Sequence, residues 1–229
     1  MRKYVTEFIG TFGLVFTVGT AVRSGSGLAP LAIGAVLMVL VYAGGHISGA
    51  HYNPAVTLGV LLRGKLPASD VLPYWASQLL AALVAGLLAR FAVAKSAVSA
   101  SPITGAHHIF AALLVEFIFT FALVYVVLNV ATSKDQPNNH FFGLAIGFTV
   151  GAGVAAVGGI SGAAFNPAVA VGGMLAGVLS WQSIWIYLIA DLLGAIVAAL
   201  VFRYLNPDDG VSGGLLSRLP KISVTKPTG

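Results

Sequence analysis

Apolar residues fill this chain in long unbroken runs, and short polar clusters punctuate them. Six runs are long enough to cross a bilayer as helices, at about 4–22, 30–46, 71–94, 108–131, 141–158 and 181–204, since a span needs roughly 20 apolar residues. The breaks carry Gly, Ser, Pro and charge: Arg23-Ser24-Gly25-Ser26-Gly27, residues 64–69, residues 96–105, and residues 133–139 with Pro137. Such clusters end helices. Two further apolar pieces, 54–62 and 167–176, are about half as long as a span. Each begins inside an Asn-Pro-Ala-Val, within HYNPAVT at 51–57 and AFNPAVA at 164–170. Residues 206–229 are polar and are expected to form a cytoplasmic tail.

Composition agrees with a membrane protein. Of 229 residues, 58% are hydrophobic and 8% charged, against about 25% charged in soluble domains. The absence of Cys excludes disulfides and thiolate metal sites. The net charge of +5 does not point to nucleic acid, because the basic residues lie between or beyond the apolar runs and form no stripe with interleaved aromatics. The Met1-Arg2-Lys3 start followed by an apolar run resembles a signal peptide, but Glu7 interrupts that run and the segment has a twin later.

That twin is part of a duplication. Residues 7–18 (EFIGTFGLVFTV) match 116–127 (EFIFTFALVYVV) at eight of twelve positions. Residues 45–64 match 158–177 at twelve of twenty, with an offset of 113. Repeat 1 is expected to span about 4–105 and repeat 2 about 106–205, within a single transmembrane channel domain covering 1–229. Each repeat holds three full spans. Three is odd, so the second repeat enters the membrane from the opposite face and the halves are inverted. With both termini cytoplasmic, nine Lys and Arg lie inside and three, Arg23, Arg90 and Lys95, lie outside. The positive-inside rule favours that orientation.

Pro suits the first turn of a helix, and Asn before it suits the cap. Asn53-Pro54-Ala55 and Asn166-Pro167-Ala168 therefore each read as a loop turning into a short helix. Nine residues at 1.5 Å per residue reach about 13.5 Å, roughly half of the hydrocarbon core. Two such half-helices from opposite faces would meet head to head, and the irregular backbone before them must line a wet cavity. Both helix N-termini would then aim partial positive charge at one midpoint, which disfavours cations and protons.

Paired Asn-Pro-Ala motifs, six spans, inverted halves and the stretch GHISGAHYNPAVT resemble the aquaporin (major intrinsic protein) family over about residues 4–205. The resemblance implies an all-α membrane protein with the aquaporin fold: six tilted transmembrane helices plus two membrane half-helices. It implies a homotetramer in the membrane lipid, each subunit with its own pore for water and small neutral solutes. It also implies pore-supporting roles for His51 and for Glu7 and Glu116, whose family counterparts accept hydrogen bonds from the broken backbone. A cell (inner) membrane location is expected from the short loops.

Counting from the motifs, the family's outer constriction falls on Tyr42, Val154, Ala163 and Val169. Family members normally carry Arg at the place of Val169. Losing a guanidinium removes five donors, a fixed charge and bulk. The filter is expected to be wider and more apolar, so water, glycerol, urea, ammonia and hydrogen peroxide are all candidate solutes. Asp191 departs from the family, where an uncharged residue or Pro is commoner; it reads as a loop anchor or a protonated acid. No nucleophile–base set points to an enzyme, no His spacing matches a metal site, and no cofactor is implied. The alternatives are a secondary transporter, which needs a mobile intramembrane charge, and a closed-pore structural membrane protein.

Overall fold

The computed structural model describes residues 1–209; the remainder of the polar tail lies outside the described residues. The chain forms helices α1 (Arg2–Arg23), α2 (Ala29–Ser48), α3 (Pro54–Leu62), α4 (Ala68–Ala92), α5 (Ala106–Thr132), α6 (Phe142–Ser161), α7 (Pro167–Leu175) and α8 (Ile184–Leu205). A single 3-10 turn at Trp181–Ser183 leads into α8, so the last span starts slightly later as a regular helix than its apolar run does. Several helices extend past the apolar runs, because polar residues at a membrane edge can continue a helix into water. Among the described residues six helices are long and apolar enough to span a bilayer. The half-helices α3 and α7 have nine residues each.

Packing follows the duplication. The pair α1 and α4 corresponds to α5 and α8; α4 with α7 corresponds to α8 with α3; α1 with α7 corresponds to α5 with α3. The contact of α2 with α6 maps onto itself, so the pseudo-two-fold axis passes between them. At that axis Gly34 and Gly147, one repeat offset apart, bring the backbones together. A Cβ on Gly34 would lie 2.9 Å from Gly147 O, and one on Gly147 would lie 2.5 Å from Gly34 O. Without a hydrophobic drive between helices in lipid, such close backbone approach is how they hold together.

Around the bundle the surface is apolar. Leu31, Leu72, Phe91 and Phe110 are all exposed. A water-soluble protein would bury such residues, whereas hydrocarbon solvates them.

Candidate functional site

α2 and α6 both stop on a left-handed glycine, Gly49 at φ 86° and Gly162 at φ 91°. The chain then runs through two short loops to the half-helices. In the first loop Ala50 and Tyr52 have φ of 50° and 49°; in the second Ala163 and Phe165 have 52° and 51°. Left-handed backbone costs a residue with a Cβ roughly 1–2 kcal/mol. These four non-glycine residues sit at matched positions, so the strain is built into the repeat and something must hold it.

Two buried carboxylates do the holding. Glu7 Oε1 accepts from the Ser48 hydroxyl (2.7 Å) and His51 N (2.9 Å). Glu7 Oε2 accepts from Tyr52 N (2.7 Å) and Gln78 Nε2 (2.8 Å). Glu116 Oε1 accepts from the Ser161 hydroxyl and Ala164 N (3.0 Å), and its Oε2 accepts from Phe165 N (2.8 Å). Tyr74 and Tyr187 add matched bonds to Ser48 O and Ser161 O. None of these carboxylates is a mobile charge of the kind a coupled transporter needs; each is fixed within a loop scaffold.

The loops end at the two Asn residues. Asn53 Oδ1 caps α3 by accepting from Ala55 N at 2.8 Å, and Asn166 Oδ1 caps α7 from Ala168 N at 2.9 Å. Their amide groups cross over: Asn53 Nδ2 donates to Phe165 O at 2.9 Å, and Asn166 Nδ2 donates to Tyr52 O at 2.9 Å. Each amide nitrogen carries two protons, so one remains for the cavity. The half-helices therefore start side by side from one knot, in contact with each other.

A cavity runs past this knot. Its lining obeys the duplication: Leu14 with Leu123, Val18 with Val127, Ile33 with Ile146, and Leu37 with Val150. Closer in come Ala50 with Ala163, His51 with Ala164, Asn53 with Asn166, and Val56 with Val169. The polar side chains among them are His51, Asn53 and Asn166. His51 is fixed by Thr57 Oγ1, 3.1 Å from its Nδ1, and by the Tyr74 ring. The cavity volume is about 40 Å³, room for roughly three waters at ~10–15 Å³ each.

A family model described as "Major intrinsic protein" matches residues 1–202. The chain belongs to the major intrinsic protein family. Among curated relatives, "Glycerol uptake facilitator protein-like 6" of Lactiplantibacillus plantarum is 38% identical over 91% of this chain and 100% of its own length. Aquaporin TIP1-2 of Zea mays is 37% identical over 88% of this chain and 84% of its own. The X-ray structure of the aquaglyceroporin from Plasmodium falciparum shares the fold, with a TM-score of 0.70, 22% identity, and coverage of 88% of this chain and 94% of that one. As a major intrinsic protein the chain is a passive membrane channel for water and small solutes, and not an enzyme.

Of the residues expected at the outer constriction of such a channel, Val154, Ala163 and Val169 line the cavity. Tyr42 does not, and that expectation is corrected. Tyr42 is 39% exposed, and its hydroxyl donates to His140 O (3.0 Å) and accepts from Leu144 N (3.1 Å). Its ring packs on Phe142 at the start of α6. Tyr42 thus stands at the face where α2 ends and α6 begins, whereas the α1–α2 loop and the end of α7 lie at the opposite face. Ile33 and Leu37, in the first half of α2, are the α2 residues that line the cavity with Val154 and Val169, Ile33 being the nearer to the α1–α2 loop. The direction of α2 carried that signal: a helix entering after the loop at 24–28 meets that loop's face in its first turns.

An arginine closes each end of the bundle. At the face of the α1–α2 loop, buried Arg23 donates through Nε to Val93 O (2.7 Å), through Nη2 to Ala94 O (3.0 Å), and through Nη1 to Ala176 O at the end of α7. At the other face Arg63, just after α3, donates to Thr132 O and to Asp209 Oδ1 (2.6 Å), and lies over the Phe202 ring. Burial pushes the Asp209 carboxyl up, but the Lys134 backbone N–H and the Arg63 guanidinium outweigh it and leave it below its ordinary value. Sequence reading treated both arginines as topology markers only.

Proposed function

We propose that this channel passes small uncharged solutes of about the size of glycerol or urea in addition to water. The observation that carries this reading is Val169, which stands where the family's constriction normally has Arg. Ile33, Val154 and Ala163 line the same cavity and carry no charge and no side-chain donor; with Val169 they form the proposed constriction ring. A ring of that kind imposes little orientation on a solute and leaves room that a guanidinium would fill. Names among the relatives point both ways, to aquaporins and to a glycerol uptake facilitator.

Ions are refused at the knot. Each half-helix offers roughly +0.5 elementary charge at its N-terminus, and the free amide protons of Asn53 and Asn166 add donors there. As in aquaporin-type pores generally, those positive ends repel cations and interrupt proton transfer along water. We further propose that Pro54, Ala55, Pro167 and Ala168 serve to start the half-helices at this point. Glu7, Glu116 and His51 serve to hold the pore wall. The unit is a single channel domain that sits in the cell membrane as a homotetramer with both termini cytoplasmic, consistent with the basic residues at the α3 and α5 ends.

Stopped-flow light scattering on reconstituted vesicles tests the solute reading. With protein, vesicles should shrink quickly under a sucrose gradient and re-swell quickly under glycerol or urea. Fast shrinkage with re-swelling no faster than in protein-free vesicles would restrict the channel to water.

A further inference from the structure

Glu7 and Glu116 occupy matched places, yet the residues facing them differ. Glu7 has four donors, and the fourth is Gln78 Nε2 from α4. Glu116 has three. The offset of 113 puts Asp191, on α8, where Gln78 stands in the first repeat. Asp191 is completely buried, and because α8 packs on α5 as α4 packs on α1, it is set beside Glu116 as Gln78 is beside Glu7. Its Oδ1 accepts from Thr120 Oγ1 at 3.0 Å, while its Oδ2 has no donor.

Two ionised carboxylates cannot hydrogen-bond to each other. Both charged, they would face each other in a dry interior, where like charges repel strongly. Among the described residues no cation is placed to relieve them. The helices α3, α6 and α7 carry no ionisable side chain. On α5 and α8 the other ionisable group beside the pair is Tyr187, whose hydroxyl is engaged with Ser161 O. His107, His108, Tyr125, Arg203 and Tyr204 lie several turns away along those helices.

We propose that Asp191 carries a proton and donates it through Oδ2 to Glu116, filling the fourth acceptor place that the Gln78 amide fills on Glu7. Asp191 is then a positioning residue: it fixes Glu116, which fixes the Ala164 and Phe165 N–H groups and so the cavity wall before α7. One half of the pore is set by an amide and the other by a proton. An unpartnered buried oxygen is costly, and this assignment leaves Oδ2 with a partner.

Infrared spectroscopy of the full-length channel in lipid at neutral pH tests the assignment. A protonated-carboxyl C=O band should be present, should shift when aspartate is labelled with ¹³C at the side-chain carboxyl, and should vanish in Asp191→Asn. No such band, or a band shifted by ¹³C-glutamate labelling instead, would overturn it. In scattering assays Asp191→Asn, with a permanent N–H donor, should keep wild-type water flux, while Asp191→Leu should lose most of it. Equal loss in both variants would overturn the positioning role. The spectrum is independent of which solutes pass, so its outcome and that of the solute reading are separable.

Discussion

Asn53 and Asn166 each tie down the other's loop: the amide of one donates to the backbone carbonyl just before the other, at 2.9 Å in both directions. The two helix ends beside this knot sum to about +1 elementary charge at roughly +0.5 each. One carboxylate there would about cancel them. Asn166→Asp keeps the acceptor that caps α7 but should admit cations, seen as a conductance in planar-bilayer recordings. Currents no larger than in wild type would refute the electrostatic account of ion refusal.

Val169→Arg should add charge and bulk to the cavity wall at the proposed constriction. Re-swelling with glycerol should fall by an order of magnitude or so, because one poorly accommodated contact of ~1.4 kcal/mol is a tenfold effect. Water flux should fall far less. Parallel losses of water and glycerol would mean that size at Val169 does not set the cutoff.

Ile33→Ala and Tyr42→Ala separate the two candidate α2 positions. Ile33 lines the cavity and Tyr42 does not. Shortening Ile33 should raise passage of the larger solutes, while shortening Tyr42 should leave the solute cutoff where it is. A cutoff that moves with Tyr42 alone would place the constriction at the other face.

Arg23→Met should destabilise the channel by about 2–4 kcal/mol, since charged hydrogen bonds contribute ~1.5–3 kcal/mol each and some of the three carbonyls find other donors. Arg23→Lys should recover part of it, because a single ammonium cannot span Val93, Ala94 and Ala176 as a fork does. Thermal midpoints in detergent check the order wild type, Lys, Met. A Met variant as stable as wild type would remove Arg23 from the account of how α7 is anchored.

Asp209 gives a pH signature. Its folded-state pKa is depressed, so its contribution is present above the ordinary Asp pKa of ~3.9 and is lost as pH falls through the lower folded value. The stability gap between wild type and Asp209→Asn should stay constant from neutral pH down to about pH 4 and close below it. A gap already closed at mildly acidic pH would show that another group governs the Arg63 contact.

The duplication and the six spans were legible because hydrocarbon demands long apolar runs, and because Asn-Pro-Ala-Val recurs at a constant offset. That Val154, Ala163 and Val169 line the cavity could be found by counting, since they lie close to Asn166 on continuous backbone. Tyr42 was misplaced because the count from Asn53 ignored which way α2 crosses the membrane. The crossed amide bonds were not legible. They join residues 112 and 114 positions apart, and no spacing rule shows that a cap residue will use its spare nitrogen on a foreign loop. The roles of Arg23 and Arg63 were hidden for the same reason: their acceptors are backbone carbonyls, which carry no sequence signature.

The reciprocal amide bonds bear on how the chain is made. When the first repeat leaves the ribosome, the carbonyl that Asn53 Nδ2 needs has not yet been synthesised, and the donor for Tyr52 O is equally missing. The knot can therefore close only after the second loop has been made. A severed N-terminal half should insert, yet remain sensitive to proteases at residues 49–53 until its complement is supplied in trans.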